Sequence, residues 1–265
     1  MKAVLPLIAL LAACNWAAEP PVANQATESA PTPAAPPAAP AAKAFEFDEK
    51  TDLVEFHYGW SAEAAAVPQL VARFRADMEK NRAELVANAK EDKANREKDG
   101  YPFRPYSASA EYSTAGQSPR LLSLSVDIAA YTGGAHGNFG TDSLMWDRAA
   151  HKEIGVADLF APPTRFAALV SKASCDAINA ERIKKREEQP KPGEMFWDCP
   201  SLNELAIVPL DADKDGRFEA IRFSAAPYVA GPYVEGQYDV DLPVNAAMLS
   251  AMKPEFRTSF EVQAQ

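Results

Sequence analysis

Histidine and cysteine are scarce in this chain, with three of each among 265 residues. His57, His136 and His151 show no short metal-binding spacing such as HxxxH, the pattern that sets two imidazoles on one helix face. Basic residues are outnumbered: 27 Lys and Arg stand against 37 Asp and Glu, a formal charge of −10. That balance argues against a nucleic-acid ligand, which requires a basic footprint. It suits a basic partner, whose approach it would speed. There is no Gly-x-Ser-x-Gly nucleophile elbow, and neither a phosphate loop nor a dinucleotide fingerprint. These absences weigh against the common enzyme classes, although a triad drawn from distant positions stays open. Apolar runs are short as well. The stretch from Ala3 to Ala13 falls well below the roughly 20 residues that span a bilayer.

What that stretch does resemble is a secretory leader. Lys2, the short apolar run and small residues before a cut site make residues 1–13 a signal peptide. Leu11-Ala12-Ala13-Cys14 is similar to the lipobox of bacterial lipoproteins. The resemblance implies that the Cys14 thiol is acylated, that Cys14 becomes the N-terminus, and that the membrane is a partner through this lipid. Ordinary cleavage near Ala18 is the alternative. Asn15 follows the cysteine, where Asp tends to hold such proteins at the inner membrane. Asn therefore points to the outer membrane, facing the periplasm. Residues 14–44 are rich in Ala and Pro, with Pro20, Pro21, Pro31, Pro33, Pro36, Pro37 and Pro40. Such a segment cannot bury enough apolar surface to offset the entropy of ordering it. As an extended tether it would reach about 90 Å.

Aromatic and β-branched residues begin at Phe45, so 45–265 is the folded part, with subregions of about 45–150 and 151–265. Alternation predicts strands at Leu53–Tyr58, Tyr106–Tyr112, Leu122–Ala130 and Thr141–Trp146. Further strands are expected at Leu205–Leu210, Arg217–Phe223 and Tyr238–Val244. Helical spacing predicts one helix from Pro68 to just before Gly100, and another over Thr164–Glu188 with Phe166, Leu169, Val170, Ala173 and Ala177 inward. The mixed charges of Glu181–Lys191 read as a solvated helix end. Segregated helices and hairpins imply an α+β fold with antiparallel sheets and two main helices.

Three sets of residues are candidates for chemistry. Cys175 and Cys199 form an even pair for a disulfide if the chain is exported; two free buried thiols are the alternative. His136 sits in a glycine-rich hairpin loop with Tyr131 and Asn138 beside it. It could touch a sugar or protein ligand, but turn geometry alone explains the glycines, so a loop-bracing role is the simpler reading. Asp211, Asp213, Asp215 and Gly216 form a DxDxDG run, which suits an oxygen-liganded Ca²⁺ loop. The twelfth position, where an EF-hand carries Glu, is Arg222, and Glu219 stands at the ninth. A solvated turn without cofactor is the simpler reading there too.

Tyr131-Thr132-Gly133-Gly134-Ala135-His136-Gly137, Asp158-Leu159-Phe160 and Pro227-Tyr228-Val229-Ala230-Gly231-Pro232-Tyr233 together resemble one extracytoplasmic domain. It occurs in lysozyme-sensing anti-sigma factors of the RsiV type and as the non-catalytic N-terminal region of PdaC-type peptidoglycan deacetylases. Val67-Pro68-Gln69-Leu70 and the helix it opens fit the first half of that region. The resemblance runs from Phe45 to about Pro254 and lacks a sigma-binding segment, a transmembrane helix and a deacetylase catalytic domain. It implies a lipid-anchored periplasmic binding or sensing module without catalysis, acting on peptidoglycan or a basic, lysozyme-like wall-active protein. A hydrolase of cell-wall glycans and a purely structural envelope lipoprotein are the alternatives.

Overall fold

The computed structural model describes residues 42–189, 191 and 193–263. The leader, Cys14 and the tether through residue 41 lie outside the described residues.

Alternating residues build the first sheet. β1 (Phe45–Lys50) and β2 (Val54–Trp60) pair antiparallel. β2 buries Val54, Phe56 and Tyr58 on one face and leaves Glu55 exposed, the period of two that a half-buried strand requires. A short helix, α1 (Ala62–Ala65), is capped by the Ser61 side chain. α2 (Pro68–Asp99) follows for 32 residues, about 48 Å. Pro68 starts it, where a missing N–H costs nothing, and Gly100 ends it at φ +74, a conformation open to glycine at little cost. Leu70, Phe74, Met78, Leu85 and Ala89 make its buried stripe.

α2 carries the chain back to the end of the sheet where β2 began. β3 (Tyr106–Gln117) therefore pairs parallel with β2. The sheets are antiparallel-rich as expected, and this pair is the exception among the named strands: a parallel neighbour needs a crossover of a dozen residues or more, and α2 supplies it. β4 (Leu121–Tyr131), β5 (Asn138–Asp147) and β6 (Lys152–Ile154) then add antiparallel, giving the order β1-β2-β3-β4-β5-β6. Leu122, Leu124 and Val126 pack in the core under α2. Ile128 continues the same row but is exposed, because that hydrophobic cluster stops at Val126.

Leu121 and Met145 join a second cluster instead. α3 (Thr164–Arg186) and a three-stranded antiparallel sheet of β7 (Ala206–Leu210), β8 (Ala220–Ala225) and β9 (Tyr238–Pro243) supply most of it. Phe166 of α3 stacks on Phe223 of β8 with ring centroids 6.4 Å apart. Burying such a ring contributes about 2–3 kcal/mol. Leu159 and Phe160 are fully buried in the same cluster, so the Asp158-Leu159-Phe160 motif serves packing. α4 (Ala246–Ala251), capped by Asn245, closes the molecule, which is α+β with two long helices.

The inward line of α3 runs Phe166, Val170, Ser174, Ile178, Arg182, and Ala173 is exposed rather than inward. The end of α3 is also not the solvated run expected. Arg182 is fully buried, donating from Nε to Ala230 O (2.8 Å), from Nη1 to Asn179 Oδ1 (2.8 Å) and Trp197 O (3.3 Å), and from Nη2 to Asp198 O (3.1 Å). Main-chain carbonyls of two loops take up its donors, which is why a cation is tolerated there. Cys175 and Cys199 form a disulfide with Cα atoms 5.3 Å apart, pinning the segment that carries Trp197 and Asp198 to α3.

Candidate binding face at the hairpin tip

The glycine-rich connection between β4 and β5 meets a second loop, Pro227–Tyr233, that follows β8. His136 is exposed at the tip. Its Nδ1 donates to Gly137 O at 2.8 Å, which leaves Nε2 to accept from the Tyr228 hydroxyl at 3.4 Å. Its ring stacks on Tyr233 with centroids 3.9 Å apart. Tyr228 lies 5.8 Å from Tyr233, and Phe139 meets Tyr233 edge-on at 5.9 Å. Phe139, Tyr228 and Val234 are 41%, 51% and 89% exposed, so a contiguous aromatic and apolar face is turned to solvent.

That face is held in place from behind. Tyr228 has φ +73, a left-handed conformation that costs a bulky residue energy. The loop is fixed by Tyr228 N–H to Gly231 O (2.9 Å) and by Ala230 O, which accepts from both Arg182 and Arg186 (2.8 and 3.1 Å). Arg186 also pairs with Glu235 at 2.8 Å, and Glu235 accepts from the Tyr238 hydroxyl. Burial would raise the Glu235 carboxyl, but Arg186 and then Tyr238 outweigh it and hold the group below its ordinary range. Burial and the neighbouring Glu235 push Tyr238 up to about 12. Glu235 is thus an anionic brace and Tyr238 a neutral donor at any physiological pH. With this support the phenol oxygens can hydrogen-bond a ligand while exposed ring faces stack on it.

Of the predicted trio, only His136 belongs to this cluster. Tyr131 turns its hydroxyl to Gly134 O (3.2 Å) and lines a cleft of about 420 Å³ with Arg96 and Tyr101. Asn138 is exposed at the start of β5 and lines a smaller cleft of about 270 Å³ with Ile128, Phe139 and Ala226. Tyr228, Tyr233 and Phe139 were not singled out as site residues from the sequence, although Tyr228 and Tyr233 lie inside a motif that was. Asp211, Asp213 and Asp215 lie elsewhere, in the connection between β7 and β8. A carboxylate oxygen of each falls within 4.8 Å of the others, with Asp211 buried and the other two exposed.

Among curated proteins none matches the chain. Several solved structures resemble it, two of them as follows. One is a DUF3298 family protein from Pseudomonas aeruginosa PAO1, 18% identical, with a TM-score of 0.47 over 80% of this chain and 95% of that one. The other is a DUF3298 family member from Bacteroides fragilis NCTC 9343, 17% identical, with a TM-score of 0.47 over 82% and 95%. At the level of sequence families, residues 47–139, which include His136 and Phe139 and stop short of Tyr228 and Tyr233, match the family described as Deacetylase PdaC.

Proposed function

We propose that this protein is a lipid-anchored periplasmic binding module, of the kind found in RsiV-type sensors, that docks a basic wall-active protein of the lysozyme class through the face formed by His136, Phe139, Tyr228 and Tyr233. The observation that carries the reading is the exposure of this aromatic cluster on a loop held in a strained conformation by two arginines. Rigid, exposed aromatics are the residues that dominate protein recognition energetics. The net charge of −10 complements a basic partner and steers it in. Acylated Cys14 at the outer membrane and the proline-rich tether place the module near the wall. The reading is of binding, not catalysis.

A second reading, wall glycan as ligand, draws on the His136–Tyr233 stack, which offers flat ring faces of the kind sugars pack on. Both are tested by surface plasmon resonance on the full chain, with a basic lysozyme and soluble peptidoglycan fragments as probes. His136→Ala and Tyr228→Ala should each weaken binding by about 10- to 30-fold, with melting temperatures within about 2 °C of the wild type. The association rate for lysozyme should fall as salt rises through the screening range. Absence of binding to either probe at about 100 μM would overturn the proposal. Unchanged affinity in both variants would move the site elsewhere.

A further inference from the structure

The 211–219 hairpin loop joins β7 to β8 and contains four carboxylates: Asp211, Asp213, Asp215 and Glu219. Asp211 and Glu219 are each only 7% exposed. Each uses one oxygen inside the loop: Asp211 Oδ2 accepts from Gly216 N at 3.2 Å, and Glu219 Oε1 from Ala212 N at 2.8 Å. The other oxygens, Asp211 Oδ1 and Glu219 Oε2, are buried without any hydrogen-bond partner. Two orphaned carboxylate oxygens in one nine-residue loop are a costly arrangement, because a buried anion requires a compensating cation or donor. Arg217 does not provide it: its guanidinium pairs with Asp215 (3.0 Å) and Glu261 (2.6 Å). Among the described residues no Lys or Arg pairs with Asp211, Asp213 or Glu219.

We propose that this loop binds Ca²⁺. Asp211, Asp213 and Asp215 stand at positions one, three and five, the main-chain carbonyl of Arg217 at seven and Glu219 at nine. These five are hard oxygen donors of the kind Ca²⁺ takes, and water would complete its shell of about 6–8 oxygens, which tolerates irregular geometry. Mg²⁺ demands a near-octahedral shell and gives up water reluctantly. Lys214 (φ +62) and Gly216 (φ +90) bend the backbone so that the carboxylates converge. The twelfth position does not take part, since Arg222 is committed to Asp241 at 2.8 Å. Glu219 stands directly before β8 and accepts from Ala212 N, so the loop is closed by a β-hairpin rather than by two helices.

The loop is docked on the first sheet. Asp211 N donates to Ala115 O (3.1 Å), where the register of β3 shifts against β4. Gly116 beside it has no room for a side chain: a Cβ there would stand 2.6 Å from Asp211 N and 2.8 Å from the Phe218 ring. Phe218 itself is fully buried. Bound Ca²⁺ would therefore lock the seam between the two sheets as well as the loop.

The test is calorimetric titration of the EDTA-treated, desalted full chain with CaCl₂, with melting temperatures in Ca²⁺, Mg²⁺ and EGTA. Binding in the range of extracellular calcium modules, about 10⁻⁴–10⁻³ M, is expected. About 5 mM Ca²⁺ should raise the melting temperature by about 3–8 °C over EGTA. Asp213→Ala, at an exposed position, should lose that response and melt within about 1–2 °C of the wild type in EGTA. Glu219→Gln should lose it too, without destabilising the metal-free form, since it removes a buried charge. No heat and equal melting temperatures in Ca²⁺ and EGTA would overturn the proposal. So would an equal response to Mg²⁺, or full retention of the response by Asp213→Ala.

Discussion

His57 shows how a single side chain ties three strands. Its Nδ1 lies 2.8 Å from Asp48 Oδ1 on β1 and its Nε2 3.2 Å from Glu111 Oε2 on β3. Its pKa is raised, first by Asp48 and, against the opposing effect of burial, by Glu111. The stabilisation is fully present below about pH 6.5, where the unfolded chain is protonated as well, and is lost as pH rises through the folded value. The ring is about one-third exposed and Asp48 three-quarters exposed, so solvent screening keeps the effect small. Urea titrations at about pH 6 and about pH 9 should differ by about 0.5 kcal/mol more in the wild type than in His57→Gln. Equal differences would remove His57 from this account. At the same scale, the sequence showed His136 because glycines flank it, but not what it touches. Tyr228 is 92 positions away, and no local period links the two. Arg182 was hidden for a different reason. It sits in a run of charges, and only the tertiary fold decides which member of such a run turns inward to meet free carbonyls.

Among the elements, the disulfide acts furthest from its own position. Cys175–Cys199 fixes the segment whose Trp197 and Asp198 carbonyls receive Arg182, and Arg186 lies over the Trp197 ring at 4.6 Å. Both arginines then hold Ala230 O behind Tyr228. A Cys175→Ser, Cys199→Ser double variant should lose about 3 kcal/mol of stability, read by denaturant titration. Its folded fraction should also bind the lysozyme probe more weakly, because the chain of contacts ends at the proposed binding face. Unaltered affinity with reduced stability would confine the disulfide to a purely structural role. Elements with strong period were legible. α2 is bounded as Pro68 and Gly100 predicted, and β4 runs one residue beyond each end of its alternating row. β1 was missed because Phe45 and Phe47 are only half-buried and charges separate them. The β2–β3 pairing was missed because periodicity reports which face a strand buries, not which way its neighbour runs.

For the whole molecule, the proposed anchor at Cys14 would decide where the module works. No helix among the described residues is long and apolar enough to cross a membrane, so membrane attachment rests on Cys14 as a proposal. Cys14→Ser should move the protein from the membrane pellet to the soluble fraction or stall its maturation, and should abolish labelling by a fatty-acid probe. Wild-type protein that is soluble and unlabelled would refute acylation. Attachment would also concentrate many copies on one surface, where exposed sheet margins become hazards. β1, one of the two edge strands of the larger sheet, alternates Glu46, Asp48 and Lys50 on its exposed side. β9, at the margin of the smaller sheet, does the same with Asp239 and Asp241. Two molecules meeting margin to margin would have to bring these carboxylates together and strip them of water, which discourages intermolecular strand pairing. The acidity that would draw a basic partner toward the domain would thus also keep crowded neighbours from zipping into fibres.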